Sequence, residues 1–317
     1  MRGTLWLAWR QQRTQLAVGA ALLVACAVWV VFRHSDAVSF IDARHLTLCK
    51  GWNGDCSADA AQLVLENTGP LRVLGAAGAV LPVLIGLFWG APLIGRELES
   101  GTFRLALTQG ISPVRWFASR FAFAAVCTVL VSAALAGLFA WWWAPVSNAL
   151  DGLYWSDSLV FDATGPAAVA AALFGLAAGT AAGLVLRRMV PAMGVALVVI
   201  GGVRVVLNTF RFHTGLVTPV TRSSPGMTPK ALIGSARSAG DWGYITPSGG
   251  HEPIGNCELS GAELKRCMAA HSYTGRYYKV YPSSDFWTFQ WIETAALLVL
   301  AAACVALTVS LLRRRRL

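Results

Sequence analysis

Charge is what this sequence has least of. Only 13% of its 317 residues are charged, about half the share found in soluble domains, and some stretches of about 20 residues hold almost none. That shortage excludes an ordinary soluble globular protein. Acidic residues are the scarcer sign, 16 against 26 Lys and Arg, which leaves a net charge of +10. A basic balance of this size raises the question of nucleic acid. Here the basic residues lie in short segments beside apolar runs, the pattern of a membrane protein's cytoplasmic ends, so no nucleic-acid partner is expected. Histidines are few and scattered: His34, His45, His213, His251 and His271 show no metal-ligand spacing. No Ser-His-Asp or paired-carboxylate arrangement falls in or near the apolar runs. There is no Gly-x-x-x-x-Gly-Lys-Ser/Thr phosphate loop, so the 317 residues cannot cradle ATP by that mechanism. The expectation is a non-enzyme that binds no metal or cofactor directly.

What the sequence has in abundance is apolar runs. Six are long enough to cross a bilayer as helices: residues 16–32, 73–94, 117–143, 165–186, 191–210 and 287–312. A signal peptide is the rival reading of the first. The run is long for that, and no small-residue cleavage site follows it, which favours an uncleaved span. The fold class expected is an all-α integral membrane protein of six transmembrane helices. Arg2, Arg10 and Arg13, then Arg96, Arg104, Arg115 and Arg120, then Arg187 and Arg188, then Arg313 to Arg316 fall on alternate connections. The positive-inside rule puts these in the cytoplasm, with both termini. Residues 1–15 then form a cytoplasmic element, 16–210 carry spans one to five, 211–286 form a large external loop or lid, and 287–317 form span six with its basic tail. The 76 residues of 211–286 are too many for a plain connector.

Among the cytoplasmic connections, residues 95–116 stand out as having structure of their own. Ser100-Gly101 interrupts the end of span two. Residues 102–109 make about two helical turns, stopped by Gly110, and Ser112 with Pro113 caps and starts the next helix. This stretch, Arg96-Glu97-x-Glu99-Ser100-Gly101-Thr102 with Leu105-x-Leu107-Thr108 and Ser112-Pro113-x-Arg115-Trp116, resembles the ABC type-2 permease family. Phe286-Trp287-x-Phe289-Gln290-x-Ile292-Glu293 before the last span is also similar to its members. The resemblance implies a membrane-spanning subunit of an ATP-binding-cassette exporter. It further implies that residues 95–116 are a coupling loop docking on a separate ATPase subunit, with Arg96, Glu97, Glu99, Thr102, Phe103, Arg104 and Leu107 as the coupling residues. ATP and Mg would then be bound by that partner. Residues before span one would form a connecting helix on the membrane surface, with Leu5, Trp6 and Trp9 among the arginines. A second permease copy, identical or related, would complete the translocation path in the cell membrane. The apolar path suggests a hydrophobic or amphipathic cargo moved outward by alternating access. A secondary transporter, an intramembrane enzyme and a non-transporting sensor or immunity protein on the same scaffold are the rivals.

Three further groups of residues call for explanation. Gly175, Gly179 and Gly183 place small residues on one face of span four, for packing within the subunit or for a dimer seam. Arg204 and Glu293 lie at similar depths inside spans five and six, as an ion pair or as a substrate contact. Cys49, Cys56, Cys257 and Cys267 fall outside the spans on the expected oxidising side. Four cysteines allow three pairings, of which the local one, 49 with 56 and 257 with 267, is the simplest.

Overall fold

The computed structural model describes residues 2–44, 58–100, 112–147, 153–213, 215–224, 236–253, 257 and 261–314, with side chains left aside for residues 2–16, 58–61, 64, 224, 261 and 262. Six helices among them are long and apolar enough to cross a membrane. Helix α1 is Arg2–Ala43 and α2 is Ala58–Ile85. A π-helical turn, Gly86–Gly90, joins α2 to α3, Ala91–Glu99, and the three make one span. The third span is α4, Pro113–Val146. A short helix α5, Ser158–Ala163, leads into α6, Gly165–Leu186, and then α7, Met189–Phe210. The last span, α9, is Phe286–Arg314.

Several boundaries differ from the sequence expectation. Helix α1 runs unbroken through residues 15 and 16, where a separate surface helix was expected to end, because no Gly or Pro interrupts it there. It also continues past Phe32 to Ala43, and α2 begins at Ala58, so much of the expected 33–72 loop is helical. The π turn has a local cause. Pro92 has no N–H to give the carbonyl four residues back, and the Ala91 N–H instead reaches the Gly86 carbonyl, five residues back. A single widened turn of this kind is the usual form of π-helix. Ser112 and Pro113 do as expected: Ser112 is extended (φ −65°, ψ 143°), and its hydroxyl accepts the Arg115 N–H at 3.4 Å.

Helix α6 stands at the centre of the bundle and is buried along most of its length. Its sequence is mostly Ala and Gly, which lets its neighbours come close. The reason for glycine is sharpest along Gly175, Gly179 and Gly183. A Cβ at these positions would strike the backbone carbonyls of Pro82, Gly86 and Ala91 in turn. Gly90 answers from the other side, since a Cβ there would lie 2.7 Å from the Leu176 carbonyl. The stripe therefore packs against the second span of the same chain.

Residues 211–286 correct the all-α expectation. They hold a four-stranded antiparallel sheet of order β1-β4-β2-β3, with β1 Val220–Ser224, β2 Arg237–Ile245, β3 His251–Pro253 and β4 Gly275–Tyr281. Helix α8, Gly261–Ala270, precedes β4. Five of the seven residues of strand β4 are buried, and it reads Gly-Arg-Tyr-Tyr-Lys-Val-Tyr, the aromatic and β-branched composition that favours strands. Trp242 stacks on Tyr278 (ring centroids 5.4 Å apart), and Tyr244 on Tyr273 (4.8 Å). Cys257 is bonded to Cys267 with Cα atoms 5.9 Å apart, and the Tyr244 hydroxyl donates to the Cys257 carbonyl at 2.7 Å. Cys49 and Cys56 lie outside the described residues.

The glycine stripe gives a test with its own control. Gly179→Ala should cost about 1–3 kcal/mol, the usual penalty of overpacking a closed site. Gly137→Ala, where a Cβ meets nothing within 4 Å, should leave stability unchanged or slightly raised. Thermal unfolding of the purified variants in detergent measures both, and equal midpoints would contradict this packing.

Candidate functional site

Four ionisable side chains meet at the end of the bundle that carries the sheet. Arg204 of α7 pairs with Asp162 of α5 at 2.6 Å. Arg211, two helical turns further on, pairs with the other Asp162 oxygen at 2.8 Å and, through Nε, with Glu293 of α9 at 2.5 Å. Arg211 and Glu293 are each only 4% exposed, so a charge on either needs a paired counter-charge. Two guanidiniums and two carboxylates make the group neutral overall. The Arg211 guanidinium also lies 3.8 Å above the Phe161 ring, and its Nη1 is buried with no hydrogen-bond partner.

This corrects the expected pairing of Arg204 with Glu293. The two belong to one chain of contacts, but Asp162 and Arg211 stand between them. The spacing carried a usable signal: Arg211 follows Arg204 by seven residues, which puts both on one helix face. It was overlooked because it falls just past the apolar run that ends at Phe210. Asp162 lies between the apolar runs 117–143 and 165–186, so it does not stand out as a charge inside a span.

The network is held in place by Gln290, which is fully buried. Its Nε2 donates to the Phe161 carbonyl at 3.0 Å, and its Oε1 accepts the Ala167 N–H at 3.0 Å. One side chain thus serves the end of α5 and the start of α6, two places where backbone groups lack helical partners. Gly165 between them has φ +70°, and a Cβ there would stand 2.6 Å from Gln290 Oε1, so the turn needs glycine. Above the charges, Trp155, Phe161, Tyr281 and Phe289 form a buried aromatic layer, with Phe212 and Phe286 packed against it. The Tyr281 hydroxyl donates to the Phe212 carbonyl at 3.0 Å, which ties the sheet to the bundle. In the motif before the last span, Phe289, Gln290 and Glu293 face inward, while Trp287 and Trp291 are exposed.

At the opposite end, Glu97 and Glu99 are engaged within the chain. Glu97 pairs with Arg120 of α4, whose guanidinium lies 4.6 Å from the Trp116 ring. Glu99 accepts the Met189 N–H at 3.0 Å. That N–H opens α7, and its own N-cap residue, Arg188, offers no side-chain acceptor. A carboxylate placed there also meets the positive end of the helix dipole. Both carboxylates thus have partners within the chain and join spans two, three and five. Arg96 is exposed. Thr102, Phe103, Arg104 and Leu107 lie outside the described residues.

Six apolar helices long enough to cross a bilayer, packed around paired charges, mark a multi-pass membrane protein. The chain belongs to the ABC-2 membrane transporter related family, which it matches over residues 20–211. The match runs from within α1 to Arg211 at the end of α7. No curated protein and no solved structure matches the chain.

The charge network predicts a ranking of couplings. In double-mutant cycles with neutral amides, Glu293 and Arg211 should show about 1–3 kcal/mol of coupling, and Glu293 with Arg204 distinctly less. Unfolding midpoints of the single and double variants measure both. The reverse order would contradict the network.

Proposed function

We propose that this chain is the membrane-spanning permease subunit of an ATP-driven exporter. A separate ATPase subunit binds ATP and Mg, and a second permease, identical or related, completes the path. The subunit lies in the cell membrane with both termini and the 95–116 loop in the cytoplasm, and with the sheet outside. Its cargo is a hydrophobic or amphipathic compound, released outward by alternating access. The observation that carries this reading is the joining of three spans at the root of that loop. A push on a loop held by a flexible tether would move only the loop. Here α3 runs into it from Glu99, whose carboxylate holds the start of α7, and α4 leaves it beside Arg120, which Glu97 holds. A displacement of the loop is thereby delivered to spans two, three and five together. Membership of the ABC-2 related family supports the same reading.

The two kinds of loop residue should separate in the purified complex. Phe103→Ala should weaken ATPase retention by about tenfold, as removal of an apolar anchor does, with the bundle's unfolding midpoint unchanged. Glu99→Gln, whose partner is inside the permease, should keep the ATPase bound and uncouple hydrolysis from transport. Wild-type retention and compound-stimulated hydrolysis in Phe103→Ala would sink the assignment of this loop, and with it most of the exporter reading.

A further inference from the structure

At the sheet-bearing end, α1 and α2 enclose a cavity of about 530 Å³ whose lining includes Arg33, Asp36, Phe40, Arg44, Leu63 and Glu66. We propose that it binds the head group of a membrane phospholipid carrying both a phosphate and a primary ammonium, an ethanolamine-type lipid. The proposal concerns this subunit alone and stands apart from its coupling to an ATPase.

The position is that of a lipid head group. Trp142, bonded to Asn67 of the lining, belongs to the run of tryptophans near the end of the third span, where such residues mark the membrane interface. His34 stacks on Trp141 with ring centroids 3.8 Å apart. Trp142 donates from Nε1 to Asn67 Oδ1 at 3.2 Å, and Asn67 donates to the Leu63 carbonyl at 2.9 Å.

The charges fit a zwitterion. Arg33 donates from Nη2 to the Glu66 backbone carbonyl, yet its Nε–H is buried with no hydrogen-bond partner. A phosphate oxygen drawn to this guanidinium supplies the missing acceptor, and guanidinium with phosphate is a strong pair. Asp36 offers a carboxylate to an ammonium, Glu66 a second that also accepts from Gln62 Nε2 at 2.9 Å, and both oppose a head group of purely negative charge. A quaternary ammonium has no N–H to give a carboxylate and binds best on aromatic faces. The rings here already have cations: Arg44 lies 5.1 Å from the Phe40 ring centroid and Arg33 5.9 Å from that of Trp142. The site therefore favours the primary amine.

The tail has a place as well. Val18, Leu22 and Trp29 are exposed apolar residues whose helical spacing puts them on the face of α1 that carries Arg33, Asp36 and Phe40. Helix α1 rests chiefly on α4, which leaves this face open beside α2 for an acyl chain.

Native mass spectrometry of the purified subunit, offered ethanolamine, choline and glycerol phospholipids with identical chains in equal amounts, tests this. The ethanolamine lipid should be retained about tenfold over each of the others, the difference expected of one charge-assisted contact. Asp36→Asn, a change at an exposed residue that leaves the fold intact, should cut the preference over the choline lipid to about twofold or less. Arg33→Gln should lower retention of all three, with folding checked by the Cys257–Cys267 bond and the unfolding midpoint. If Arg33→Gln does not fold, Asp36→Asn decides alone. Equal retention of the three lipids, or a wild-type preference that survives Asp36→Asn, would overturn the proposal.

Discussion

The contact between the α6 backbone and the second span sets the spacing of the whole bundle. In a bilayer, water does not drive helices together, and association depends on close packing and on polar contacts between them. Gly175, Gly179 and Gly183 let the carbonyls of Pro82, Gly86 and Ala91 approach to a distance that no side chain permits. The π turn at Gly86–Gly90 lies in the middle of this contact. With the second span fixed against α6, the remaining spans find their places. Helices α4, α7 and α9 pack on the other faces of α6, and α1 stands outside them against α4.

Polar interactions then define the two ends. At one, Asp162, Arg204, Arg211 and Glu293 form a neutral, buried group beneath an aromatic layer that carries the sheet. At the other, Glu97 and Glu99 join three spans around the loop that the exporter reading assigns to the ATPase. Between them the bundle is almost entirely apolar. Such a division suits a subunit that receives a push at one face and changes its packing at the other, because the polar groups fix which helices move together.

Much of this was legible in the sequence because the bilayer imposes long apolar runs, and six of them were found at nearly the right places. The cap at Ser112 and Pro113 was legible for the same kind of reason: its chemistry is local. What was missed depends on contacts distant in sequence. Glu293 was recognised as a buried charge, but its partner Arg211 lies just beyond an apolar run and Asp162 in a short helix with no periodic signal. The length of residues 211–286 pointed to a lid but not to its strands, because the Tyr-rich β4 becomes a strand only through pairing with β1 and β2. Glu97 and Glu99 stood out in the sequence by motif alone, and their partners Arg120 and the Met189 N–H, 23 and 90 residues away, could not be read from it.

In the exporter reading one face of the bundle is toward the cytoplasm and the sheet is on the other side of the membrane. Labelling by a membrane-impermeant maleimide in intact cells tests this most directly, in a background with Cys49 and Cys56 replaced by Ser. A cysteine introduced as Ser248→Cys, in the exposed turn between β2 and β3, should label without permeabilisation. One introduced as Arg188→Cys, in the turn between α6 and α7, should label only after it. Labelling of Arg188→Cys in intact cells, with Ser248→Cys protected, would contradict the account.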